Sequence, residues 1–155
     1  MCAALAVGIR NGAVHAPHTD DHTQIAITIA GLTVAFKGLS LPLVQAVQQR
    51  YANFLSGQSP QYHEVTVFPG REVYLDPAED RFLRLELYSA GDERILVSNH
   101  FAASRNIREG RLCIGYPESV KATLDAIENY LRWYVAQTIA EQGSGLLLHA
   151  AGVNL

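Results

Sequence analysis

Apolar and polar residues alternate in two short runs that begin just after Thr23. In the first run, residues 25–29, the isoleucines fall on one face, which is the period of a half-buried strand. The second run, 32–36, alternates in the same way. Gly31 lies between the two and supplies the backbone freedom that a short turn needs. The pattern predicts a β-hairpin.

A helical period follows the hairpin. Ser40 precedes Leu41 and Pro42, the order expected for a hydroxyl N-cap and a proline in the first turn. Gly57 is placed to end the helix. Apolar residues recur at spacings of three and four between these limits, at Leu43, Val44, Val47, Tyr51, Phe54 and Leu55.

Four further strand candidates are each set off by Gly, Pro, Asp or Asn. The run 82–88 alternates, which predicts that Leu85 and Leu87 face a core while Arg84 and Glu86 lie outside. Residues 90–92 form the turn to the next strand. The four candidates are residues 63–68, 82–88, 94–98 and 111–115.

A long helix and an apolar run close the sequence. Ser119 is the predicted cap of the helix, whose apolar positions keep helical spacing until glycines 143 and 145 end it. Residues 146–153 are apolar without alternation, which predicts a strand buried on both faces. Only Asn154 and Leu155 follow, so we expect that the sequence is cut short.

These elements predict an α+β fold with a mixed, mainly antiparallel sheet of about six to seven strands and two main helices. The 155 residues are 48% hydrophobic and 17% charged, which suits one domain with a sizeable core. We expect residues 1–22, which lack a clear period, to be a loosely ordered amino terminus. Residues 23–155 then form a single domain.

Charge and cysteine usage restrict the partners and the compartment. The net charge of −3 argues against nucleic acid, which usually binds a basic surface. No run of 18 apolar residues is present, so no membrane helix is expected. Cys2 and Cys113 suggest no disulfide framework, which fits a reducing, cytoplasmic location.

Histidines supply the candidates for chemistry. His15, His18 and His22 lie together near two aspartates, but nothing in their spacing makes them converge. We therefore predict no metal site, with these three as the candidate ligands if one exists. His149 lies in the apolar terminal run, where a satisfied core histidine is more common than a catalytic one. His63 and His100 are expected at strand ends or loops as ordinary surface or hydrogen-bonded residues.

The long helix carries one predicted ion pair, and the familiar catalytic motifs are missing from the sequence. Glu128 and Arg132 lie four residues apart and can pair on the helix surface. Trp133 is expected to pack against a strand or a partner. The sequence has no glycine-rich phosphate loop, dinucleotide fingerprint, His-Glu-x-x-His or Gly-x-Ser-x-Gly motif. It therefore carries no complete catalytic site.

Two segments resemble the HPr kinase/phosphorylase-like P-loop proteins. These are residues 128–132 (ENYLR) and, about a dozen residues later, residues 145–153 (GLLLHAAGV). In that family a long helix leads into a strand of similar sequence, and the phosphate-binding loop follows. The hairpin and first helix also resemble the amino-terminal part of those longer bacterial chains, so the likeness covers about residues 24–155.

The resemblance implies a non-catalytic amino-terminal domain, or a truncated member, that acts in protein or peptide interaction. The phosphate loop and the magnesium ligands would lie after residue 155. ATP and Mg²⁺ are thus expected only if a downstream segment completes the site. The resemblance places only His149 and Gly152 near a nucleotide.

Two other functions remain open from the sequence. One is a stand-alone module that binds a small molecule or a peptide and is unrelated to kinases. The other is a metal-dependent hydrolase built on the amino-terminal histidines. If the long helix and the terminal run lack their natural cover, an exposed apolar surface would also favour a homodimer.

Overall fold

The structure, a computed structural model, describes residues 24–57, 62–70, 85–115 and 119–143. One sheet and two helices account for most of these residues. The helices are α1 (Leu41–Arg50) and α2 (Val120–Glu141). The strands are β1 (Ile25–Ile29), β2 (Leu32–Lys37), β3 (His63–Pro69), β4 (Leu85–Ala90), β5 (Glu93–Ser98), β6 (Phe101–Arg105) and β7 (Glu109–Ile114).

The seven strands form a mixed sheet in the order β1-β2-β3-β7-β6-β5-β4. Four neighbouring pairs are antiparallel, whereas β2 with β3 and β3 with β7 are parallel. Helix α1 connects β2 to β3, as parallel neighbours require a crossover. The predicted α+β class with a mainly antiparallel sheet is confirmed.

The predicted hairpin is present as β1 and β2. Ile25 pairs with Phe36 and Ile29 with Leu32, which leaves a two-residue loop. Both loop residues have positive φ, 52° at Ala30 and 79° at Gly31. Such a loop matches the right-handed twist of the flanking strands.

Both helices pack on one face of the sheet, where the main core lies. Side chains from β1, β2, β3, β6 and β7 meet the inner sides of α1 and α2. Burial of these apolar side chains is the main stabilising contribution. The largest fully buried ones include Phe36, Phe101, Ile27, Leu112, Ile127 and Tyr130.

Helix α1 is shorter than predicted. Ser40 is the N-cap residue, although its side chain makes no capping hydrogen bond, and the helix ends at Arg50 rather than near Gly57. A short 3₁₀ turn, Ala52–Phe54, follows. The chain then returns to the sheet, where Leu55 bridges to Ile27. The apolar spacing after Tyr51 thus reflects this return and not a further helical turn.

Helix α2 begins as predicted. The Ser119 Oγ accepts a hydrogen bond from the backbone N–H of Ala122 at 3.1 Å. The helix ends at Glu141, and Gly143 adopts a left-handed φ of 63° just after it. Gly145 lies outside the described residues. No helix in the described segments combines the length and apolar character needed to cross a bilayer.

Two strand predictions need correction. Strand β6 was not predicted, because its sequence FAASR holds small residues without alternation; all five residues are nevertheless buried between β5 and β7. Leu85 and Leu87 were expected in the core, but their side chains remain 43% and 60% exposed. Residues 82–84 lie outside the described part of the chain.

Candidate functional site

The candidate residues chosen from the sequence fall largely outside the described structure. His149 and Gly152 lie in the segment after residue 143, and His15, His18 and His22 lie before residue 24. Within the described ranges, no group of three or more His, Cys, Asp or Glu side chains could hold a metal ion.

An apolar cavity of about 680 Å³ lies between α2 and residues of the sheet. We call it the Trp133 cavity. Its volume is in the range of ligand-binding pockets. It is lined by Ile29, Arg50, Tyr51, Phe54, Leu85, Leu87, Leu96, Glu128, Asn129, Leu131, Arg132, Trp133, Val135 and Ala136.

The leucines of β4 belong to this cavity. Leu87 pairs with Leu96 of β5 and therefore shares the face on which the helices pack. Leu96 is 2% exposed and Leu87 is 60% exposed. The alternation of residues 82–88 therefore predicted the correct face, whereas the predicted burial was wrong because neither described helix covers β4. The exposed leucines form an apolar wall.

Trp133 contributes an aromatic surface and an unused donor. Its side chain is 8% exposed, and its ring meets Tyr130 edge to face with centroids 5.5 Å apart. The indole Nε1–H is buried and has no hydrogen-bond partner among the described residues. A buried donor without a partner is costly, so this atom is a point of strain in the core.

A charged group of three residues borders the cavity. Glu128, 22% exposed, binds both Arg132 and Arg50, the latter at 2.7 Å between Nη2 and Oε2. The predicted pair of Glu128 with Arg132 is confirmed. The contact with Arg50 joins the two helices. Two guanidinium groups thus share one carboxylate, which leaves a net positive charge at the rim.

The same carboxylate affects the titration of its neighbours. Hydrogen bonding and charge from Glu128 raise the pKa of Arg50. Burial raises the pKa of Tyr51 to about 12, and the charge of Glu128 contributes in the same direction. Tyr51 is therefore a neutral phenol in this cavity at physiological pH.

A buried polar pair lies in the core beside Trp133. The His63 Nε2 and the Tyr130 Oη are 2.7 Å apart, and the two residues are 3% and 0% exposed. The prediction that His63 is hydrogen-bonded is correct, but it is buried and not on the surface. Gly110 makes room for the pair, because a Cβ at this position would lie 1.8 Å from the Tyr130 Oη.

Both members of this pair are neutral. Burial lowers the pKa of His63 to about 4, and the positive charge of Arg105 adds to this effect. Burial also raises the pKa of Tyr130 well above its ordinary value. The Tyr134 ring stacks on His63 with centroids 4.3 Å apart, and burial raises its pKa as well.

The Arg105 guanidinium contacts two neighbouring aromatic rings of α2. Its guanidinium lies 5.5 Å from the centre of the Trp133 ring and 5.4 Å from that of Tyr134. Its Nη2 also donates to Gln137 at 2.9 Å and lies 3.3 Å from a Glu141 oxygen. These contacts hold a nearly buried cation at the end of β6.

The arrangement suits the binding of an apolar group. The Trp133 cavity offers apolar walls and a positive rim, and no nucleophile stands beside a base among the described residues that line it. Sequence reasoning expected Trp133 only to pack against a strand or a partner. It predicted the Glu128–Arg132 pair but missed Arg50, which lies 78 residues from Glu128. Comparison with models of protein families, with curated proteins and with solved structures found no match.

Proposed function

We propose that this chain is a non-catalytic binding domain that receives an apolar segment of a protein or peptide partner in the Trp133 cavity. The observation that carries the proposal is the apolar wall of Leu85 and Leu87, which lies exposed opposite Trp133 in a cavity of about 680 Å³. Exposed apolar surface of this kind is typical of interaction sites.

The rim specifies the charge of the partner. Glu128 neutralises one of the two guanidinium groups of Arg50 and Arg132, so the excess charge is positive. An acidic side chain beside the apolar segment would complement this charge. The arginine side chains are 61% and 54% exposed, so both remain accessible to such a group.

Trp133 provides a direct readout of binding because it is the single tryptophan of the chain. The probe is an acetylated, amidated pentapeptide, Leu-Val-Leu-Phe-Asp, titrated while the tryptophan emission is recorded. The comparison peptide ends in Lys instead of Asp. We expect saturable binding of the acidic peptide, with a dissociation constant about tenfold below that of the basic one.

Matched variants test the walls of the cavity and its charge. Leu87→Ser should raise the dissociation constant of the acidic peptide about tenfold. Leu41 is 63% exposed and lies outside the cavity lining, so Leu41→Ser should leave binding unchanged. Arg132→Gln should remove the preference for the acidic peptide, and Lys121→Gln should preserve it. Equal binding by the Leu87 and Leu41 variants would overturn the proposal.

A small-molecule module is the alternative occupant of the same cavity, favoured by its volume. Decanoate, an apolar chain with one carboxylate, is the probe for it. Saturable binding of decanoate without binding of either peptide would replace the peptide proposal by this alternative. A homodimer is the third outcome. Sedimentation equilibrium would detect it as a mass that rises with concentration and falls in Leu87→Ser.

We further propose that the domain works in the cytoplasm as part of an HPr kinase-like protein, binding no cofactor by itself. The likeness of residues 128–132 and 145–153 to that family supports this. Calorimetry with ATP and Mg²⁺ should show no binding by this chain and clear binding by a version extended through the downstream reading frame. Binding of ATP by the chain alone, or its absence in the extended version, would contradict the proposal.

A further inference from the structure

A second cavity, of about 590 Å³, lies where the parallel strands β2, β3 and β7 begin. We call it the His63 cavity. None of its lining residues lines the Trp133 cavity. The residues that matter for its chemistry are Thr33, Tyr62, His63, Ile107, Arg108 and Tyr134.

A buried imidazole lies in the inner part of this cavity. His63 is 3% exposed, and its Nε2 is already engaged by Tyr130. Its Nδ1 makes no hydrogen bond of ordinary geometry in the described structure. Burial and the charge of Arg105 lower the pKa of His63 and outweigh a hydrogen-bonding contact with the backbone of Arg108, which raises it, so the imidazole is neutral. The imidazole therefore adds a polar but uncharged surface to the cavity.

The aromatic surface of the cavity is the Tyr134 ring, which is held in place by its neighbours. Tyr134 stacks on His63 with their ring planes 18° apart, and Arg105 lies against the Tyr134 ring. Tyr62 is 47% exposed and Ile107 is 90% exposed at the rim. A planar ring could therefore be held between a rigid aromatic side chain inside and apolar side chains at the entrance.

One charged group lines the cavity, and it is positive. Arg108 is exposed in the turn between β6 and β7. The Asn106 Oδ1 holds the turn by accepting two hydrogen bonds. They come from the backbone N–H of Arg108 at 2.8 Å and from that of Glu109 at 3.0 Å. With His63 neutral, the lining carries no other charge among the described residues. The cavity therefore favours an anion over a cation.

We infer that the His63 cavity binds a small anionic molecule with a planar aromatic ring. The anionic group pairs with Arg108, and the ring lies among Tyr62, Ile107 and Tyr134. This site is separate from the Trp133 cavity, so the inference does not depend on the function proposed for that cavity.

Three probes separate the contributions of ring and charge. They are 2-naphthoate, which has both, 2-naphthamide, which lacks the charge, and acetate, which lacks the ring. Amide chemical shifts of the ¹⁵N-labelled chain are followed during titration. We expect 2-naphthoate to shift the signals of residues 31–33, 62–63 and 107–108, with a dissociation constant about tenfold below that of 2-naphthamide. Acetate should cause no saturable shift.

Arg108→Gln and Lys121→Gln form the matched pair of variants, since both replace an exposed cation and neither touches the core. Arg108→Gln should raise the dissociation constant of 2-naphthoate about tenfold, while Lys121→Gln should change it less than about twofold. Equal constants for the two variants would overturn the inference. Shifts confined to the Trp133 cavity, or equal binding of 2-naphthoate and 2-naphthamide, would also overturn it.

Discussion

Trp133 and Tyr134 are neighbours in sequence, yet they line two cavities of opposite character. The Trp133 cavity has apolar walls with its charges at the rim, on Arg50, Glu128 and Arg132. The His63 cavity has a neutral imidazole within it and one cation at its edge. Arg105 lies against both rings. Successive residues of a helix point about 100° apart, which lets α2 serve both cavities.

The two cavities also differ in whether their residues are expected to affect stability or binding. His63 and Tyr130 are 3% and 0% exposed, so changes to this polar pair should act mainly on folding. The leucines of β4 and the arginines of the rim are largely exposed, so changes there should act on binding and leave the fold intact.

The largest expected contrast compares Leu96 with Leu87, which pair across β5 and β4. Leu96→Ala removes a side chain that is 2% exposed and should lower the free energy of unfolding by about 2–5 kcal/mol. Leu87→Ala, at 60% exposure, should lower it by less than about 1 kcal/mol. Urea denaturation followed by circular dichroism measures both. Similar losses for the two variants would mean that β4 is covered in solution.

The next effect concerns the space beside the polar pair. Gly110→Ala would place a methyl group 1.8 Å from the Tyr130 Oη and 2.9 Å from the His63 Nε2. The resulting displacement should cost about 2–3 kcal/mol of unfolding free energy. Gly57→Ala is the control, because no atom lies within 4 Å of the place that its Cβ would take, and it should change stability by less than about 0.5 kcal/mol. Equal urea midpoints for the two variants would contradict the close packing of Gly110 against the His63–Tyr130 pair.

The third effect is a pH dependence that belongs to His63. Its pKa is about 4 in the fold and 6.5 ordinarily, so the unfolded chain binds a proton between these values that the folded chain excludes. This contribution to stability is complete above pH 6.5 and is lost as the pH falls to 4. At about 1.4 kcal/mol per pH unit, the interval from about 4 to 6.5 amounts to at most about 3.5 kcal/mol.

His63→Gln should flatten the stability profile by this amount, measured by urea denaturation at several pH values from about 7 to about 4. His100→Gln replaces an exposed histidine and should keep the slope of the unchanged chain. The same slope in both variants would show that His63 is not the group responsible.

The smallest expected effect on stability concerns the rim. Arg132→Gln breaks an exposed ion pair with Glu128 and should lower the free energy of unfolding by less than about 0.5 kcal/mol. High salt should abolish even this loss, because it screens exposed charges. Thermal unfolding in low salt and in about 1 M NaCl provides the measurement. A loss above about 1 kcal/mol would assign the rim a structural role and weaken its proposed role in binding.

Local patterns predicted the local structure well. The β1–β2 hairpin, the cap at Ser119 and the Glu128–Arg132 pair depend on residues within a few positions of one another, and all three are present. Strand β6 was missed because its small residues carry little strand preference by themselves. The position between β5 and β7 makes it a strand.

The candidate cavities depend on contacts that no local pattern contains. Arg50 reaches Glu128 across 78 residues, and His63 reaches Tyr130 across 67. Alternation showed that Leu85 and Leu87 share a face, but only the extent of the helix layer decides whether that face is covered. The chemistry of both cavities therefore arises from how α2 crosses the sheet.

The space at Gly110 also constrains how this sequence can vary. A side chain at position 110 would crowd the tyrosine at 130 where it bonds to the histidine at 63. Relatives that keep the tyrosine and the histidine should therefore keep the glycine, and relatives with a larger residue at 110 should have lost the hydroxyl at 130. This covariation of three positions, far apart in sequence, offers a signature by which distant relatives can be recognised.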